Sequence, residues 1–104
     1  MLLTEILPLF ARELEQLLKN EGETELAAQV HRLNVEDRCR CGDDFCASFY
    51  TQPKPNRAYG PSHSCMELEP TVGMLILDVV GGAIVHVEVL NRDDVRQKLL
   101  AALP

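Results

Sequence analysis

The residues best suited to chemistry in this chain are four cysteines, Cys39, Cys41, Cys46 and Cys65. Three of them fall within eight residues in the spacing C-x-C-x4-C, and His63 and Cys65 follow beyond a proline-rich stretch. Thiolate and imidazole are preferred ligands of a tetrahedral zinc ion. Three local thiolates, with His63 or Cys65 folded back as the fourth ligand, would make a closed structural zinc site. The spacing permits such a site without demanding it. Zinc ligand pairs usually come as C-x2–4-C, whereas Cys39 and Cys41 would share one face of a strand while standing well apart along it. Cys41 and Cys46 flank Gly42-Asp43-Asp44 and can approach each other across a turn. Three other uses stay open. Reduced cysteine packs as a small hydrophobe. A Cys41–Cys46 or Cys39–Cys65 disulfide is conceivable, and a cytoplasmic location argues against it. A nucleophilic thiol needs a base and an orienting group, for which His63 and Asp43 are the nominal candidates.

Other polar residues are weaker candidates. His86 and Glu88 alternate on one strand face and could form an acid–base pair. Asp78, in an otherwise apolar run, needs a partner or solvent, because burying an unpaired charge is costly. His31 reads as a helix boundary residue. Arg38, Arg40 and Arg57 are offset by Asp37, Asp43 and Asp44, so they read as solvated charges. Tyr50 and Tyr59 could stack on a ligand. No phosphate-binding glycine loop, nucleophile elbow or metalloprotease helix is present.

The elements that must position these residues follow from periodicity. Leu7, Phe10, Leu14, Leu17 and Leu18 recur at helical spacing, with Pro8 fitting a first turn and Gly22 a helix stop. Leu26, Val30 and Leu33 mark a second helix, joined to the first in a helical hairpin. A strand over about 35–40 is expected to pair back onto Phe45–Thr51, with the thiol-bearing turn between them. Residues 52–64 are an irregular loop with three prolines, and a short strand near 65–69 follows. Met74–Val80, Gly81-Gly82 and Ala83–Leu90 read as a hairpin. A regular register would set Asp78 opposite Val85 and place Val85, Val87 and Val89 with Ile76 and Met74. His86 and Glu88 would then lie near Leu77 and Leu75. Both faces of this hairpin carry apolar residues, so it should be central in its sheet. Asn91 is the expected N-cap of a last helix whose buried stripe is Val95, Leu99 and Leu103. The fold class is therefore α+β, with an N-terminal helical hairpin, an antiparallel sheet of about four strands and a C-terminal helix, in the order ααββββα.

The bulk composition bounds the function. The chain has 104 residues, which is the size of one domain spanning 1–104, and its 46% hydrophobic content can supply a core. A net charge of −6 opposes both nucleic-acid backbones and anionic membranes as partners. The apolar N-terminus lacks a basic start and contains Glu5, so it does not read as a signal peptide. A cytoplasmic location is the expectation.

The segment Arg38-Cys39-Arg40-Cys41-Gly42-Asp43-Asp44-Phe45-Cys46-Ala47-Ser48-Phe49-Tyr50-Thr51 resembles a stretch found in small uncharacterised bacterial proteins. The likeness extends through the loop into Leu77-Asp78-Val79-Val80 and Glu88-Val89-Leu90, covering about the C-terminal two-thirds of the chain. That family has no assigned activity, so the resemblance implies a bacterial, cytoplasmic context and no functional residue. With no convergent catalytic set, the leading expectation is a small non-enzymatic binding or protein-interaction module, using loop 52–64 toward a protein partner. An exposed sheet edge could also support a homodimer. The alternatives are a structural zinc-binding domain using Cys39, Cys41, Cys46 and either His63 or Cys65, and a thiol-dependent redox protein or enzyme.

Overall fold

The computed structural model describes residues 1–104. The chain is α+β, as the segregation of helical and alternating patterns implies. A short helix α1, Leu3–Ile6, precedes the expected one. It is a single turn, too brief to show a period. It is held by its neighbours: Leu3 N–H donates to the Leu33 carbonyl and Val35 N–H to the Met1 carbonyl. Helix α2 runs Pro8–Asn20 with Pro8 in its first turn. It ends where expected. Gly22 takes φ +77°, Gly22 N–H donates to Lys19 O and Glu23 N–H to Leu18 O, the paired bonds of a Schellman stop. The second expected helix is shorter than its apolar stripe. Helix α3, Thr24–Gln29, gives way to one 3-10 turn at Val30–Arg32, and Leu33 is already extended.

The sheet has five antiparallel strands, one more than expected. They are β1 Asp37–Arg38, β2 Phe49–Tyr50, β3 His63–Leu68, β4 Met74–Val80 and β5 Ala83–Leu90, in the spatial order β1-β2-β5-β4-β3. Strand β1 pairs back onto β2 as predicted, Asp37 opposite Tyr50 and Arg38 opposite Phe49. Strand β2 is brief because Ser48 interrupts it. The Ser48 Oγ accepts Val89 N–H at 2.9 Å, where a backbone acceptor would otherwise sit. Ala47 N–H still reaches the Val89 carbonyl at 2.8 Å.

The β4–β5 hairpin turns on Gly81 and Gly82, with φ of +56° and +82°. Two positive φ values in a two-residue turn match the right-handed twist of the strands. Gln29 of α3 clamps this end. Its Nε2 donates to Gly82 O at 2.6 Å, and its Oε1 accepts Ile84 N–H at 3.1 Å.

The regular register breaks after two pairs. Val80 faces Ala83 and Val79 faces Ile84, but Asp78 faces His86 rather than Val85. Val85 is the extra residue of a β-bulge. Ile84 and Val85 are both buried in succession, which a regular strand does not allow. From the bulge onward the face assignments reverse. Leu75 and Leu77 point inward with Val87 and Val89. Met74, Ile76 and Asp78 share the outer face with His86 and Glu88. A bulge-free strand would carry Asp78 into the core beside the valines, so the bulge satisfies both sequences at once.

A continuous core of 23 buried residues joins the helices to the inner sheet face. Phe10 of α2 meets Phe49 of β2 edge to face, with centroids 6.1 Å apart. Helix α4, Asp93–Ala102, buries Val95 and Leu99. Its cap is Arg92, not Asn91, which instead adopts φ +59° and makes no capping bond. Arg92 is 9% exposed and grips Glu13 through two 2.8 Å bonds. It also holds Asp94 at 3.1 Å and lies over the Phe10 ring. This cluster raises the Arg92 pKa, first through Glu13 and then Asp94. No helix is long and apolar enough to cross a membrane.

Candidate metal centre

The thiols of Cys39, Cys41 and Cys46 converge. Their sulfurs all lie within 4.8 Å of one another. The backbone explains why a weak spacing gives a tight cluster. Cys39 continues the β1–β2 ladder, its N–H donating to Ser48 O at 2.8 Å. Gly42 then takes φ +81°, a left-handed turn that a side chain resists. Cys46 N–H closes the turn on Asp43 O at 3.2 Å. The chain thus curls around its own thiols, and Cys41 comes to face the others from the turn rather than from a strand. All four cysteines are free thiols.

The surroundings shift the acidities of two of the three thiols in opposite directions. For Cys46, burial works to raise the pKa, but the Ser48 hydroxyl and N–H and the neighbouring thiols outweigh it, and the net direction is down. For Cys41, the Asp43 N–H favours the thiolate. The flanking Cys39 and Cys46 sulfurs oppose it, and the pKa is pushed up to about 11. Cys46 is therefore biased toward the thiolate relative to Cys41. A thiophilic cation would displace the remaining protons. Sulfurs around a tetrahedral zinc stand about 3.8 Å apart, a spacing within the 4.8 Å that bounds this cluster. The three thiols line a cleft of about 190 Å³ that Arg38 and Arg96, with Leu99 of α4, also border. The cluster can hold a metal ion.

His63 and Cys65, the other two predicted ligands, are not part of this cluster. They lie on β3 at the opposite edge of the sheet from β1, four strand spacings or about 19 Å away. They converge instead with Asp78 of β4 in a second group whose ligand atoms also lie within 4.8 Å of one another. The proline loop therefore carries His63 to the β3 edge rather than to the thiol turn, although its Lys54 borders a cleft with Cys39 and Cys41. It packs on the outer sheet face, where Tyr59 lies 4.9 Å from the His63 ring and Lys54 stands over Tyr50. The chain matches no family model, no curated protein and no solved structure.

Register produces the second group. Cys65, Asp78, His86, Tyr50 and Asp37 lie directly opposite one another across all five strands. His63 Nε2–H donates to Asp78 Oδ1 at 2.7 Å, and His86 Nδ1–H donates to Asp78 Oδ2 at 2.9 Å. The Cys65 thiol donates to the same Oδ1 at 3.3 Å. Burial tends to raise the Asp78 pKa, but these three donors outweigh it and hold it below the ordinary value. Hydrogen bonding to Asp78, with burial second, raises that of Cys65. The sequence signal for this arrangement was the apolar pair Ile84-Val85 interrupting the alternation of β5. His86 pairs with Asp78 rather than acting with Glu88. His31 is exposed on the 3-10 turn.

Proposed function

We propose that this protein is a small, non-enzymatic metal-binding module in which Cys39, Cys41 and Cys46 hold one zinc ion. The observation that carries the reading is the convergence of three sulfurs, one of them already biased toward thiolate. Three soft anionic ligands favour a thiophilic ion over magnesium or calcium. They leave a fourth coordination position for water or for a side chain of a protein partner. Arg38 and Arg96 border the cleft and would balance the excess negative charge of a tris-thiolate zinc centre. A zinc ion here would tie the β1–β2 turn to itself rather than to the proline loop.

The test is zinc titration of the apo protein against a chromophoric chelator, with alkylation of each cysteine followed by peptide mass spectrometry. One equivalent should bind and protect Cys39, Cys41 and Cys46 together, and C41S/C46S should abolish that protection. Unchanged alkylation of all three thiols at saturating zinc would sink the reading. A dithiol–disulfide function is favoured by one observation, the nearness of the low-pKa Cys46 to two other thiols. Mild oxidation that removes two hydrogens and blocks zinc uptake would select it.

A further inference from the structure

We propose a second, separate metal site at the opposite edge of the sheet, in which His63 Nε2, Cys65 Sγ and Asp78 Oδ1 coordinate a borderline divalent ion such as zinc, with His86 holding the carboxylate in place. The three ligand atoms form a triangle with edges of 2.7 Å between His63 and Asp78, 3.3 Å between Cys65 and Asp78, and 3.7 Å between Cys65 and His63. Around tetrahedral zinc, with bonds of about 2.0 Å to nitrogen or oxygen and about 2.3 Å to sulfur, such edges are about 3.3–3.6 Å. Both edges to sulfur lie within about 0.2 Å of the roughly 3.5 Å that this geometry sets. Only the His63–Asp78 edge is short, and it is short because a proton bridges it. An ion would replace that proton and the Cys65 thiol proton, both of which now point at the single oxygen Oδ1.

The surroundings hold the set in place. His63 and Cys65 alternate on β3, so they share the outer face, and Asp78 is the register partner of Cys65. The free oxygen of Asp78 is fixed by His86 Nδ1–H at 2.9 Å. An outer hydrogen bond of this kind orients a ligating carboxylate and is normally worth a substantial part of the affinity. Both imidazoles are braced by aromatic rings, His63 by Tyr59 and His86 by Tyr50, at centroid distances of 4.9 and 4.5 Å. Cys65 is exposed, so the fourth coordination position opens to solvent. Three protein ligands with an open position distinguish exchangeable zinc sites from closed structural ones.

The experiment is a zinc titration of the wild-type protein beyond one equivalent, reading alkylation of Cys65 separately from that of Cys39, Cys41 and Cys46. A second equivalent should bind and slow Cys65 alkylation about tenfold or more. H63Q and D78N should restore the fast rate while leaving the other three cysteines protected. Each variant is checked by far-UV circular dichroism, and where one fails to fold, the other variant and the wild-type protection of Cys65 carry the test. Cys65 reacting equally fast with and without zinc overturns the second site, and the thiol-turn reading then stands or falls on its own cysteines. Protection of Cys65 that persists in H63Q and D78N also overturns it.

Discussion

The two thiol-bearing clusters are built on opposite plans. Cys39, Cys41 and Cys46 lie on one turn, and local backbone bonds bring them together. His63, Cys65, Asp78 and His86 come from three neighbouring strands and meet only because the sheet register, bulge included, puts them opposite one another. The first cluster is a feature of a loop that the fold carries. The second is part of the fold. The difference shows in where protons sit: the turn shares them among soft sulfurs, whereas the sheet aims three donors at one carboxylate. A loop-borne set can contract around an ion, and a strand-borne set must nearly fit it beforehand.

The largest expected consequence is on stability without metal. D78A leaves His63, His86 and Cys65 without their shared acceptor on a half-buried sheet face. It should destabilise the metal-free protein by about 1–2 kcal/mol in urea unfolding at neutral pH, the cost of lost charge-assisted bonds discounted for partial exposure. C41A, at an exposed thiol, should fall within about 0.5 kcal/mol of wild type. Equal effects would erase the distinction between the clusters. The pH dependence has a definite sign. The Asp78 pKa is lowered from its ordinary value of 3.8, so the folded state favours the ionised carboxylate. Its contribution is fully present above that value and is lost as the pH falls through the lower folded value. The gap between wild type and D78N should therefore shrink on acidification below about pH 4. A gap that widened in acid would mean that Asp78 is not held by its donors.

A middle-sized effect tests the loop plan. Gly42 has φ +81° with open space where a Cβ would stand, so G42A meets backbone strain alone. It should lower stability by about 1 kcal/mol and weaken zinc binding at the thiol turn about tenfold, read by chelator competition. Cys65 protection should not change. If G42A left affinity at the turn intact, the left-handed bend would not be what gathers the sulfurs.

The same contrast explains what could be read from the chain. Helix α2 was legible because Pro8 and Gly22 punctuate an uninterrupted stripe, and the β4–β5 hairpin because Gly81-Gly82 admits few alternatives. The thiol turn is legible as a cluster because its members are close in sequence, whereas the separation of His63 and Cys65 from it depends on strand order. Helix α1 was not legible, since one turn shows no period and its bonds run to residues 33–35. The Arg92–Glu13 pair spans 79 positions, beyond any local rule. The Asp78 site is hidden for a subtler reason. Regular alternation is the rule for a strand, and one extra residue at Val85 reverses every later face assignment. The consecutive apolar residues Ile84-Val85 carried that information, but only the need to keep Asp78 out of the core turns them into a bulge.

The smallest effect is kinetic and isolates one contact. Asp78 accepts the Cys65 thiol proton, and its charge, joined by that of Glu88, disfavours the Cys65 thiolate. Because the thiolate is the reactive form, Cys65 should alkylate slowly for so exposed a group. D78N keeps the shape and removes the charge, so its Cys65 should react about threefold faster at pH 7.5 without metal. Cys39, Cys41 and Cys46 should keep their wild-type rates: β1, which leads into the thiol turn, stands three strand spacings, about 14 Å, from Asp78 on β4, and salt screens charge over about 10 Å. Acceleration at Cys65 alone would show that the carboxylate governs this thiol through the register of β3 and β4. Equal acceleration at all four would instead report a loosened fold. No acceleration would mean that Asp78 is occupied entirely by its two histidines, leaving Cys65 a bystander on the edge strand.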